Sequence, residues 1–232
     1  MVDSSGHILA FDCAGRALSV SVADQKGNLL ASRHKELRFG HAARLMPAIE
    51  ETMAEAQLQY KSVSLIATTT GPGGFTGLRV GITTAKTLAQ ALSISAVGIS
   101  TFLAHLNKGS EESAHQKSRL VIIDSHRKDL YCQWFDHRSK PIGDAFVAKA
   151  EVISKAIAQK NPIVFGNGRD LLTEEAQASA PLQSSALSEA LIKLIFQLKI
   201  AENPEYWPCE PVYIRAPDVT LPENSKIDLS TQ

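Results

Sequence analysis

Cysteine, charge imbalance and long apolar runs are scarce in this chain, and each scarcity removes a class of protein. The three cysteines, Cys13, Cys132 and Cys209, are odd in number and far apart. They have no metal-binding spacing, so neither a disulfide framework nor a cysteine-ligated metal is indicated. A reduced, cytoplasmic setting is the expectation. Lys and Arg total 24, as do Asp and Glu, and the formal net charge is zero. A protein that grips nucleic acid chiefly through its own field would carry a positive excess. No apolar run is long enough to cross a bilayer. The opening MVDSSGHILAFD lacks the basic flank and apolar stretch of a secretory signal, so no membrane is expected among the partners. Apolar residues still make up 44% of 232, enough for a real core in one large domain or two small ones.

What the chain does have is a pattern that occurs twice. ILAFD is an apolar run ending in Asp12, followed by a turn-like CAGR. In LSVSVA the residues Leu18, Val20 and Val22 share one face of a half-buried strand. DQKGN reads as a hairpin turn and LLASRHKEL as a third strand. From His41 to Ala56 the period becomes helical. Ala42, Met46, Ile49, Met53 and Ala56 form one stripe, widened by Leu45 and Thr52. Pro47 inside it predicts a kink or a late start. VSLIATTT, a glycine-rich helix and ISAVGIS complete the order β-β-β-α-β-α-β. After KGSEESAHQKSR the layout returns. LVIID ends in Asp124, SHRKD turns, and LYCQWF is a strand. A helix over about 151–159, the strand PIVFGNG, a helix over about 188–200 and a proline-rich tail follow. Two βββα-type openings describe an α/β, actin-like/Hsp70-like (ASKHA) duplicated two-lobe fold with βββαβα-type halves. The expected division is a first lobe over 1–105, holding helices 41–56 and 76–92, and a smaller lobe over 106–232. Helix 188–200 is placed to pack back on the first lobe.

The stretch 68–92, TTTGPGGFTGLRVGITTAKTLAQAL, holds five of the fourteen glycines: Gly71, Gly73, Gly74, Gly77 and Gly81. Their spacing matches neither a P-loop nor the dinucleotide fingerprint, so a tight turn is favoured over a phosphate cradle. In the helix that follows, Leu78, Ile82, Ala85, Leu88, Ala89 and Leu92 form an apolar stripe. Gly77, Gly81 and Ala85 form a second line, four residues apart. Glycine inside a helix costs about 1 kcal/mol relative to alanine, and close approach of another helix is the expected reason to bear it. That helix is either 41–56 of the same chain or one from a second subunit.

The segment GPGGFTGLRVGITTAKTLAQAL resembles the TsaB (YeaZ) family, whose members carry GPGSFTGLRIGLATAKGLA, with Gly74 where serine is usual. ILAFD, HAARLMPAIEE, ISTFLAHL and PVYIRAPDV extend the resemblance over nearly the whole chain. It implies an actin-like fold and a heterodimer with TsaD, the larger paralogue that transfers threonylcarbamoyl to the adenosine beside the tRNA anticodon. TsaE, an ATPase, joins the assembly, TsaC-type enzymes supply threonylcarbamoyl-adenylate, and tRNA is met through the complex. The family's dimer contact uses the first two helices. The expected partner-binding residues are therefore Ala42, Leu45, Met46, Ile49, Met53, Gly77, Gly81 and Ala85, with a homodimer through the same helices when the chain is alone.

The resemblance also bears on chemistry. TsaD proteins hold a metal through a His-x-x-x-His pair in a segment like GVNHLEGH. Here Gly98 begins GISTFLAH, which puts Thr101 at the first ligand position, Leu103 at the acid and His105 at the second ligand. This implies an accessory subunit with no catalytic residue and no metal. The family's Asp-Thr-Ser-Thr turn is Asp12-Cys13-Ala14-Gly15 here. The implied nucleotide site, Asp12, Gly15, Gly166 and Gly168, is a degenerate one, and no cofactor is expected beyond room for a nucleotide at the subunit joint. Two rival readings are a stand-alone actin-like ATPase or kinase, using Asp12 and Asp124 around Mg²⁺-nucleotide, and a peptidase with Cys13 as nucleophile or a metal pair. A basic cluster, Arg33, His34, Lys35, Arg38, His41 and Arg44, faces Glu36 alone in the sequence. It is either a solvated rim or a contact for an acidic partner or tRNA.

Overall fold

Strand β1 (His7–Asp12) reads as an unbroken apolar run because both of its faces are buried. It pairs antiparallel with β2 (Ala17–Ala23), which pairs antiparallel with β3 (Leu29–Glu36). On its other side it pairs parallel with β4 (Val63–Thr69), and β4 pairs parallel with β5 (Ser95–Ile99). This first sheet has the order β3-β2-β1-β4-β5. The computed structural model describes residues 6–37, 39–107, 117–178 and 186–215.

Period-2 alternation then decides which helix covers which face. Leu9, Phe11, Val20 and Ile66 meet α1 (His41–Glu55) and α2 (Phe75–Leu92), whose Leu45, Ile49, Leu78 and Ile82 complete that core. Ile8, Ala10, Leu65 and Ala67 point the other way, onto Leu191, Ile192 and Ile195 of α6 (Leu187–Gln197). Strand β1 thus lies between two helical layers.

The second sheet repeats the plan with β6 (Arg119–Asp124), β7 (Asp129–Phe135), β8 (Pro141–Lys149) and β9 (Ile163–Phe165), ordered β8-β7-β6-β9. One face, including Leu120, Ile122 and Leu130, packs on Ile153 and Ile157 of α4 (Ala150–Lys160) and Ala176 of α5 (Glu174–Ala178). The opposite face, with Val121, Ile123, Phe135 and Phe165, rests on Phe102 and Leu106 of α3 (Thr101–Leu106). Helix α3 also packs on α6, so it joins the two lobes.

The duplication extends to the turns. Asp12 and Asp124 end the first strand of each sheet, and Asp24 and Asp136 follow twelve residues later in each case. Asp24 accepts the backbone N–H groups of Lys26 and Asn28, and Asp136 those of Arg138 and Lys140. These bonds favour the charged carboxylates. The Asn28 side chain is the first cause of the lowered pKa of Asp24, and the Lys140 amide that of Asp136.

Two expectations differ from the structure. Helix α1 starts at His41 and runs through Pro47, whose side is exposed, so there is no late start. Strand β8 was not foreseen in PIGDAFVAK. It is a mostly exposed edge strand, and its pairing with β7 slips between Cys132 and Trp134. Without a buried face it leaves little alternation to read.

Candidate functional site

The carboxyl ends of β1 and β6 open into one cleft between the lobes, a cavity of about 360 Å³ lined in part by Asp12, Gly15, Arg16, Asp124, Gly166 and Asn167. Asp12 is buried, and its Oδ1 accepts from Ala14 N at 3.2 Å and Thr69 Oγ1 at 2.5 Å. The turn it orders is clamped to the start of α2. Gly74 N donates to Ala14 O at 2.6 Å, and the Cys13 thiol donates to Gly77 O at 3.1 Å.

Asp124 mirrors Asp12 in the second lobe. Its Oδ1 accepts from His126 N at 2.7 Å, as Asp12 does from Ala14 two residues on. Its amide donates to Asn167 Oδ1 at 2.9 Å, which ties β6 to the turn after β9. Its Oδ2 lies 2.8 Å from Arg16 Nη2, contributed by the first lobe, and 3.6 Å from His126 Nδ1. Arg16 stands just past Gly15 in the first turn. CAGR reads as a turn whose arginine has no role visible in sequence, since a charge pattern within the segment offers no clue to a partner over a hundred residues away.

Asp12, Gly15 and Gly166 come together in this cleft. Gly168 does not line it. A side chain there would press on Leu130 Cδ2 at 2.6 Å, and its amide bonds Ile122 O at 3.2 Å, so this glycine serves packing within the second lobe. His105 lines the cleft from α3 and is buried, as is Thr101. Among the described residues no group of three or more His, Cys, Asp or Glu is placed to hold a metal ion.

An actin-like fold implies Mg²⁺-nucleotide between the two strand-ending aspartates, and the residues present do not fit it. Both oxygens of Asp124 are engaged, one of them by a guanidinium. Cys13, Ala14 and Gly15 offer no hydroxyl to a phosphate. Burial, with the neighbouring Asp12 charge, raises the Cys13 thiol far above the ordinary range, so it is not an available nucleophile.

The expected partner face needs correction. A methyl at Gly77 would lie 2.0 Å from Cys13 O, and one at Gly81 would lie 3.1 Å from Thr68 Oγ1 and 3.2 Å from Cys13 Sγ. Ala85 is fully buried. The small-residue line is therefore filled by the chain's own β1 turn and β4, not by a visiting helix. Leu45, Ile49 and Met53 are buried against the first sheet. Of the residues expected to meet a partner, Ala42 is exposed and Met46 half-buried. What the helices present outward is a different set, including Ala43 and Ala54 on α1 and Thr76, Thr83, Thr87 and Ala91 on α2.

The basic cluster is also answered from outside its own segment. Arg33 pairs with Glu51 at 3.4 Å and Glu55 at 2.9 Å, both on α1. Lys35 and Arg44 line a groove of about 420 Å³ that Glu51 shares. Arg38 lies outside the described residues. Adjacent carboxylates cancel much of the field that a polyanion would need.

Two facing βββα lobes with paired aspartates at the cleft define an actin-like protein. The family model described as "TsaD: tRNA N6-adenosine threonylcarbamoyltransferase" matches residues 35–203, and the chain belongs to that family, on its TsaB (YeaZ) branch. It is 25% identical over 163 residues to the TsaB protein of Bacillus subtilis, covering 68% of this chain and 69% of that one. It is 27% identical over 165 residues to the tRNA N6-adenosine threonylcarbamoyltransferase of Bacillus licheniformis, covering 69% of this chain but 46% of that enzyme. The fold matches YeaZ from Pseudomonas aeruginosa with a TM-score of 0.67 at 24% identity, over 90% of this chain and 99% of that one. Among the described residues no helix is long and apolar enough to cross a membrane.

Proposed function

We propose that this chain is a non-catalytic subunit for threonylcarbamoyladenosine synthesis in tRNA, docking on TsaD and favouring the conformation of that enzyme that carries out the transfer. A docked subunit shifts such an equilibrium by its differential affinity for the two states. The observation that carries the reading is the outward side of α1 and α2. These two helices pack together, and Ala43, Ala54, Thr76, Thr83 and Thr87 lie exposed across them. Small side chains at these positions let another helix pair approach closely, while Glu50, Arg79 and Lys86, exposed beside them, call for charged partners across the contact. Membership of the TsaB branch supports the role. So does α3, where Thr101 and His105 stand in place of a chelating histidine pair.

Reconstitution tests this directly. TsaD, TsaE and a TsaC-type enzyme are given tRNA, threonine, bicarbonate and ATP, and modified adenosine is counted by mass spectrometry with and without this chain. Modification is expected to depend on its presence. Equal yields in its absence would overturn the reading.

A further inference from the structure

Asp124 carries a carboxylate at 4% exposure, where an isolated charge would be costly. Two groups answer its Oδ2: the Arg16 guanidinium at 2.8 Å, which crosses from the other lobe, and His126 Nδ1 at 3.6 Å within its own turn. Arginine keeps its charge at every physiological pH and cannot diffuse away. Beside it, Asn167 is bonded to the Asp124 amide, and its Nδ2 lies 3.4 Å from where a Gly15 side chain would begin. The two strand-end turns are thus brought together around a cation that belongs to the chain.

We infer that Arg16 is a built-in cation that latches the two lobes at Asp124 and occupies the place a divalent ion would take, leaving the cleft closed to Mg²⁺-nucleotide. The guanidinium neutralises the second-lobe aspartate, and its attachment to the first lobe turns a charge interaction into a mechanical tie. An incoming Mg²⁺-phosphate would have to break that pair and displace the arginine first. The inference concerns the isolated chain and does not depend on TsaD.

Hydrogen exchange and calorimetry on the full chain test it. In Arg16→Ala the amides of residues 124–129 are expected to exchange at least about threefold faster than in the wild type, while those of α4, across the second sheet, stay unchanged. Arg16 is 70% exposed, so this variant is expected to fold. Asp124→Asn is the reciprocal variant, and there the amides of residues 14–17 in the first lobe should quicken. Wild type should give no saturable heat with Mg·ATP or Mg·ADP up to millimolar concentration. Unchanged exchange at 124–129 in Arg16→Ala would overturn the latch. Saturable micromolar binding of Mg·ATP by the wild type would overturn the closed cleft.

Discussion

A methyl group added at Gly77 would meet a backbone carbonyl at 2.0 Å, whereas one at Gly81 would touch a hydroxyl and a thiol at 3.1 and 3.2 Å. The first obstacle is rigid and the second can give. Gly77→Ala is therefore expected to destabilise by about 1–3 kcal/mol through overpacking. For Gly81→Ala, the gain in helix propensity of about 1 kcal/mol offsets a mild crowding cost, so its urea midpoint should stay near that of the wild type. Equal midpoints for the two variants would show that α2 is not clamped on the Cys13 turn. The thiols give a second test at this scale. Burial raises Cys132 to about 12 and Cys209 to about 11, and Cys13 higher still. An acid whose folded pKa is raised contributes stability that is fully present below its unfolded pKa and is lost as pH rises towards the folded value. An ordinary thiol titrates near 9.0, so melting temperature should fall as pH rises above about 9. A triple Cys→Ser control would carry its own packing costs, so the comparison is of slopes with pH. Iodoacetamide at pH 8 should leave all three unmodified in the folded protein and label all three in urea, read by intact mass.

At the scale of elements, the segment from 207 to 215 ties more together than its irregular backbone suggests. Trp207 O accepts from Gly98 N at 3.0 Å beside β5, and Val212 N donates to Thr70 O at 2.8 Å in the glycine-rich turn. Tyr213 receives the Arg79 Nε–H at 2.9 Å, while the Arg79 guanidinium lies 3.7 Å over the Phe75 ring. Ile214 then packs with the second-lobe core, and Arg215 pairs with Asp129. Gly71 and Gly98 leave room for it, since side chains there would strike Val212 O and Pro208 O at 2.6 and 2.5 Å. The proline-rich tail has neither helical nor strand periodicity, so its sequence gives no hint of these partners. Their signal lies in the glycines opposite: Gly71 reads as a turn residue, and Gly98 has no reason visible in its own segment. A chain ending at Tyr206 is expected to melt at least about 5 °C below one ending at Arg215, given roughly 2–4 °C per kcal/mol at this size. Equal melting temperatures would mean the strap adds nothing to the joined lobes.

For the whole molecule, what was legible is what periodicity encodes. Strands buried on both faces, amphipathic helices and the doubled strand-aspartate-turn layout all leave local marks, and they gave the actin-like plan. What was hidden depends on distance. Arg16 finds Asp124 and Arg33 finds Glu51 and Glu55 only after the chain has folded. The direction of the Gly77–Gly81–Ala85 line was hidden for the same reason: spacing shows that something approaches closely, not whether it belongs to the same chain. This decides which mutation can test docking. Gly81→Leu would drive a branched side chain into Thr68 and Cys13, so a lost complex could simply reflect a damaged subunit. Thr83 and Thr87 are exposed one turn apart on α2, where substitutions usually change stability by no more than about 0.5 kcal/mol each. Thr83→Arg combined with Thr87→Arg places two long cations where a close helical contact needs small side chains, beside the exposed Arg79 and Lys86, and burying the added pair without partners would be strongly unfavourable. The double variant should keep the wild-type melting temperature to within a few degrees, fail to copurify with TsaD, and lose its support of tRNA modification. If it copurifies at full yield and still supports modification, the docking surface is elsewhere on the molecule. If it copurifies but no longer supports modification, the outward face of α2 governs the shift in TsaD rather than the affinity for it.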